Sequence, residues 1–225
     1  RARIDGFGKH ITLTVTAKEA GDTEDIVLKF KKNGQKSLIA GEFDAEDEED
    51  QEKVVDSLIL AVKLVDEFGI EFDADDYKAY SSDVSLVKTV TLDSGELTIE
   101  GPKDDKKRGV AKITVVDLDT AKTASIDVPV VGKPYAIDAD YVVSGKAADV
   151  TLQFVDNDDA VTRAKDEDVD YELLLPNGVV VSDKKKFDKD SGEATFKATV
   201  EEYGEYNLTA VAGNGIAKKF TLVVG

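Results

Sequence analysis

The stretch "SLILAVKLVDEFGIEFDADDY", Ser57 to Tyr77, decides the fold. Read at helical spacing, Val54, Val55, Leu58, Ile59, Val62 and Val65 form an apolar stripe, with acids in the first turn and Gly69 as a C-cap. Read as a strand, the same segment is an apolar run rich in β-branched residues. A second stretch favours the strand. "ADVTLQFVDNDDAVTRAKDEDVDY", Ala148 to Tyr171, follows the same plan: an apolar run ending in Val-Asp, a loop, an acidic cluster, then a tyrosine that opens the next strand.

Alternation and turn signals extend this reading along the chain. Ile11, Leu13 and Val15 oppose Thr12, Thr14 and Thr16, and Phe196, Ala198 and Val200 oppose Thr195, Lys197 and Thr199, the period of half-buried strands. Asn33-Gly34, Asp93-Ser94-Gly95, Asn177-Gly178, Ser191-Gly192 and Asn214-Gly215 are the residues that tight hairpins require. Short strands with frequent turns predict an all-β sandwich. "GFGKHITLTVT", Gly6 to Thr16, also resembles "GNGIAKKFTLVV", Gly213 to Val224, and "AKTASIDVPVVG", Ala121 to Gly132, has the same closing-strand character. These ends divide the chain into residues 1–21, the last strand of a preceding module, and two modules over 22–132 and 133–225.

The charge narrows the partners. Lysine and arginine number 29 against 47 acids, a net charge of −18 on 225 residues. Such a field repels phosphate, so nucleic acid and anionic membrane are not expected partners. No apolar run approaches the roughly 20 residues that a bilayer-spanning helix needs, so membrane insertion is not expected either. Without cysteine there is no disulfide framework and no thiolate metal site. The start at Arg1 and the lack of methionine suggest an excised internal segment.

"YSSDVSLVKTVTLDSGELTIEG" (Tyr80 to Gly101), followed by "GVAKITVVDLDTAKTASIDVPV" (Gly109 to Val130), resembles the bacterial Ig-like group 2 domain. The resemblance is carried by the Ser-Ser-Asp before a strand, the aspartate-glycine hairpin, the Gly-x-Ala-x-Ile-Thr-Val strand and the Lys-Thr-Ala-Ser closing strand. "VKLVDEFGIEFDADDY" is similar to the entry strand and loop of such repeats, and "LPNGVVVSDKKKFDKDSGEATFKATVEEYGEYNLTAVAGN" resembles a related bacterial Ig-like domain. The resemblance covers most of residues 57 to 225. It implies tandem immunoglobulin-like β-sandwich modules on a bacterial surface, in S-layer proteins, adhesins or surface enzymes. Abundant lysine beside only Arg1, Arg3, Arg108 and Arg163, with no Cys, Met or Trp, looks most like an S-layer protein. The segment carries no S-layer-homology motif, so wall anchoring is expected from regions outside it.

No catalytic constellation stands out. His10 is the only histidine and sits among threonines, where an exposed strand residue is the simpler reading. Calcium is the better chemical candidate, because this hard cation takes six to eight oxygens and acidic loops at module ends can supply them. Three clusters qualify: Asp73, Asp75 and Asp76; Asp156, Asn157, Asp158 and Asp159; and Asp166, Glu167 and Asp168. Solvated loops are the competing reading, since carboxylates 4 Å apart in water repel by only about 1 kcal/mol. "DAEDEEDQE", Asp44 to Glu52, is read as a hydrated loop, being too dense in like charge for a rigid cage.

Two functions follow. The first is a structural segment of a self-assembling, extracellular surface layer, in which sandwiches serve as rigid bricks, identical chains meet laterally and calcium stiffens the junctions. The alternative is a ligand-binding adhesin, which would expose aromatics such as Tyr77, Tyr80, Tyr203 or Tyr206. A spacer in a surface hydrolase is a third, weaker option.

Overall fold

The computed structural model describes residues 2–6, 9–13, 21–45, 52–165 and 167–225, with side chains detailed from residue 21 onward except 182–184. Asp166 and the core of the acidic run, 46–51, lie outside the described residues. Among those described there are strands and turns and no helix. A hairpin, β1 (Ala2–Gly6) with β2 (Lys9–Leu13), comes first.

The first sandwich packs two sheets. One holds β3 (Thr23–Phe30), β7 (Ser57–Asp66), β11 (Glu96–Glu100) and β10 (Lys88–Asp93), in the order β10-β11-β7-β3. The other runs β4-β13-β12-β9, from β4 (Leu38–Ile39), β9 (Tyr77–Ser81), β12 (Gly109–Asp117) and β13 (Thr123–Val131). Lettered A, B, C, D, E, F and G from β3, β7, β9, β10, β11, β12 and β13, the sheets read D-E-B-A and C-F-G, the immunoglobulin order. The short β4 extends the second sheet by pairing parallel to β13. An antiparallel pair of β5 (Glu42–Asp44) and β6 (Lys53–Val55) is inserted before β7, and β8 (Glu71–Asp73) pairs with the end of β7.

The second sandwich is built from β14 (Ala136–Ser144), β15 (Ala147–Val155) and β18 (Glu193–Thr199) in one sheet. The other sheet, in the order β17-β16-β19-β20, holds β16 (Val169–Leu174), β17 (Val180–Phe187), β19 (Gly204–Ala212) and β20 (Ala217–Val224). The two sandwiches differ in their fourth strand. In the first, β10 joins the sheet of β11; in the second, β17 stays beside β16.

Ser57 to Asp66 is a strand, and its burial shows why. Leu58, Leu60 and Val62 are buried at every second position, against Leu97 and Ile99 of β11 and the facing Ile113, Val115 and Val128. The helical stripe drew on Val54 and Val55, but those belong to β6, and Asp56 interrupts the two strands. In the second core Val150, Leu152 and Phe154 play the same part, and Phe154 stacks on Phe187 with ring centroids 4.0 Å apart. Tyr77 and Tyr171 both lie on the third strand of their sandwich and both are buried. The Tyr77 hydroxyl donates to the carbonyls of Asp93 and Glu96, tying the third strand to the β10–β11 turn.

Leu152 is fully buried. Leu152→Ala should therefore destabilise the chain by about 2–5 kcal/mol through lost transfer energy and the cavity left behind. Urea titration followed by circular dichroism checks this, and a loss below 1 kcal/mol would mean that Leu152 is not a core residue.

Candidate functional site

Four of the buried polar side chains, Asp56, Asp156, Thr162 and Arg163, gather where the sandwiches meet. Asp156 directly follows β15 and is 1% exposed. Its Oδ1 accepts the amides of Asp158 and Ala160 at 2.9 and 3.0 Å, folding the loop that follows into a tight turn. Its Oδ2 accepts the amide of Gly132 at 2.6 Å, in the link between β13 and β14. Burial works to raise this carboxyl's pKa, but the Gly132, Asp158 and Ala160 amides and the nearby Arg108 outweigh it and hold it below the ordinary 3.8.

Arg108, from the loop before β12 of the first sandwich, reaches across to this turn. It donates to Asp158 at 2.5 Å and to the Asn157 side chain, and lies 3.6 Å from Asp156. Gly132 is the residue that lets these groups converge, because a Cβ there would stand 2.7 Å from the guanidinium carbon of Arg108. The link is fastened a second time by the Thr162 hydroxyl, which donates to the Gly132 carbonyl at 2.6 Å.

A second ion pair is still less exposed. Asp56 of the first sandwich and Arg163 of the second are 1% and 2% exposed. Nη2 of Arg163 donates to both Asp56 oxygens, at 2.9 and 2.8 Å, while Asp56 also accepts the Ile39 amide at 2.8 Å. The loop bearing Arg163 is pressed against the β17–β18 turn at Gly192. With φ at +68° and the Thr162 carbonyl 2.0 Å from where a Cβ would sit, that position accepts only glycine. Further out, Lys32 pairs with Asp190 at 3.3 Å, and the ammonium groups of Lys133 and Lys165 lie 4.3 and 5.7 Å from the ring centre of Phe43. The inserted β5–β6 pair thus also touches the junction.

The predicted calcium ligands are distributed rather than pooled. Asp73 pairs with Lys63, Asp75 accepts the Ser94 hydroxyl, and Asp76 lies exposed before β9, its carbonyl accepting the Leu118 amide. Asp156 and Asp158 are engaged by amides and Arg108, and Asp159 adopts a left-handed φ of 61° in the turn. Asp168 accepts the Lys189 amide at 3.0 Å, Glu167 is exposed, and Asp166 is outside the described residues. Among the described residues no three acid or imidazole side chains gather as a cation site. Of the aromatic candidates, Tyr80 and Tyr203 are exposed on different sandwiches and Tyr77 is core. Sequence reasoning missed Asp56, Arg108 and Arg163. The available signal was the scarcity of arginine in a lysine-rich chain, since guanidinium is the cation suited to buried pairs.

No protein family and no curated protein matches the chain. Among solved structures, a β-glucuronidase of Parabacteroides merdae is similar with a TM-score of 0.37 and 14% identity, over 89% of this chain and 25% of that one. Domains 5–6 of the S-layer protein SbsC follow with a TM-score of 0.33 and 14% identity, over 90% and 97%. The Escherichia coli adhesin FdeC has a TM-score of 0.32 and 10% identity, over 96% and 68%. The chain thus spans about a quarter of the glucuronidase. At these scores the likenesses carry no argument, and the immunoglobulin-like architecture rests on the strand order.

Two outcomes follow from the junction chemistry. Arg163→Ala leaves the Asp56 carboxylate buried without its cation and should cost about 3–5 kcal/mol in urea unfolding, whereas Asp56→Leu with Arg163→Met recovers part of that loss, the Ile39 amide remaining unpaired. Because the folded Asp156 carboxyl titrates below its ordinary 3.8, its stabilisation is complete above that pH and is lost as pH falls through the depressed value. The stability gap between the native chain and Asp156→Asn should therefore be constant from neutral pH down to about pH 5 and close at lower pH; a gap that widens in acid would refute the assignment.

Proposed function

We propose that this chain is a rigid structural segment of a bacterial surface-layer protein, in which locked sandwiches set the spacing between lateral contacts to identical chains. The observation that carries this reading is the junction. A flexible tether between independent domains needs no buried ions, whereas here Asp56–Arg163 and Asp156–Arg108 join the sandwiches at two places. The Asp56–Arg163 pair, desolvated on both sides, fixes geometry more than it adds stability, because a shifted arrangement leaves a charge buried alone.

Composition and the resemblance to bacterial Ig-like group 2 modules support an extracellular, cell-surface location and no catalytic role. The lateral contact is supported by β10, an edge strand on which Val90 and Leu92 are exposed. Such an edge offers unpaired backbone groups and apolar side chains to a neighbouring copy. At this junction the arginines fill the neutralising role expected of calcium, so stiffness does not depend on the ion.

Thermal unfolding with calcium, magnesium or chelator tests that point. Equal, small changes with both cations are expected. A site of about 10 μM affinity would give a calcium-specific gain of roughly 2.7 kcal/mol at 1 mM, and such a gain would return the stiffening to the acidic loops. Assembly of the parent protein is tested by Val90→Lys with Leu92→Lys, which should abolish sheet formation seen by electron microscopy while leaving unfolding unchanged.

A further inference from the structure

The end of the first sandwich repeats the end of the second, although no module is described in front of it. Asp66 is the last residue of β7, Asp156 directly follows β15, and Asp66 is 2% exposed. Its Oδ1 accepts the amides of Phe68 and Ile70 at 2.9 and 2.8 Å, two and four residues on, as Asp156 does with Asp158 and Ala160. Its Oδ2 accepts the amide of Gly21 at 3.0 Å, as Asp156 Oδ2 accepts that of Gly132.

The two glycines hold the same place. Each lies shortly before the first strand of its sandwich, and each is crowded: a Cβ on Gly21 would come 2.9 Å from the Phe68 ring, as one on Gly132 would meet Arg108. An antiparallel hairpin precedes both, β12–β13 before Gly132 and β1–β2 before Gly21. The sequence "GFGKHITL", from the end of β1 through β2, also resembles "GNGIAKKFTL", from the end of β19 into β20. Within a single sandwich the two loop amides already fold the turn. The third bond, to the incoming link, is what makes the carboxylate a junction group.

We propose that Asp66 and Gly21 form a second junction, seating the first sandwich against a preceding sandwich of the same chain whose last two strands are β1 and β2. The preceding sandwich would present a basic side chain from the loop before β1 to the Asp66 turn. The point of contact is set by the repeat: Arg108 meets Asn157 and Asp158, one and two residues past Asp156, and Glu67 is the exposed acid one residue past Asp66. A second copy docking end to end is disfavoured by charge, since the far end of the second sandwich carries Glu201 and Glu202 and would bring acid to acid.

This rests on the rigid-segment reading, and the test separates the two. The chain lacks cysteine, so introduced pairs can be spin-labelled in the full-length parent protein once any cysteine outside this stretch is replaced by serine. Lys9→Cys with Lys88→Cys reports the Gly21 junction, and Lys112→Cys with Lys219→Cys reports the Gly132 junction. Narrow distance distributions are expected for both. Asp66→Ala should remove the narrow peak of the first pair alone, and Asp156→Ala that of the second alone. Asp66→Asn serves if the alanine variant does not fold, with loss of Gly21 amide protection in hydrogen exchange as the parallel readout.

A first pair that is broad from the start, or indifferent to Asp66 while the second is narrow, overturns the second junction and leaves the rigid segment standing. A broad second pair overturns the rigid segment itself. Two further results would overturn the proposal: a parent chain with no sandwich ending in β2, or a first-pair distance that depends on protein concentration, which would mean docking in trans.

Discussion

A carboxylate at the end of a sandwich's second strand is taken out of water, and the rest of the junction is arranged to keep it charged. Asp156 can remain ionised at 1% exposure because three backbone amides and a guanidinium replace its hydration. Each replacement fixes something. Two amides shape the loop that carries Thr162 and Arg163, the Gly132 amide fixes where the second sandwich begins, and Arg108 ties the turn to the first. Once the loop is shaped, Arg163 stands opposite Asp56, and the second ion pair follows from the first.

Most of the fold was legible in the sequence because strand periodicity and turn chemistry are local. The run from Ser57 was ambiguous only while Val54 and Val55 were counted with it; Asp56 was the break, and its isolation between apolar runs was visible. The junction was less legible. Asp56 and Arg163 are 107 residues apart, and nothing local couples them. The Val-Asp parallel at Asp66 and Asp156 was plain, but a carboxylate that serves backbone amides looks in sequence like one that serves a metal, because amides leave no side-chain signature. Sequence therefore shows the acids as charge and the arginines only as a scarce residue type, with nothing to pair the one with the other.

The distribution of cations explains how so acidic a chain keeps a defined junction. Lysines make the outer pairs, such as Lys29 with Glu71 at 2.5 Å and Lys32 with Asp190 at 3.3 Å, where water and salt screen the attraction. The two arginines of the described part with detailed side chains, Arg108 and Arg163, both stand at the junction. The net charge of −18 keeps the outer faces soluble, and the buried pairs hold where screening is weak.

The Gly132 tether has an evolutionary consequence. Its acceptor, Asp156, belongs to the sandwich that follows the link, and its donor is a backbone amide. A duplicated sandwich therefore brings its own acceptor, and the glycine ahead of it supplies a donor common to nearly every residue type. The neighbour needs little more than a basic residue in one loop. Lengthening such an array by gene duplication demands few matched substitutions, so the number of copies can change faster than the angle between them.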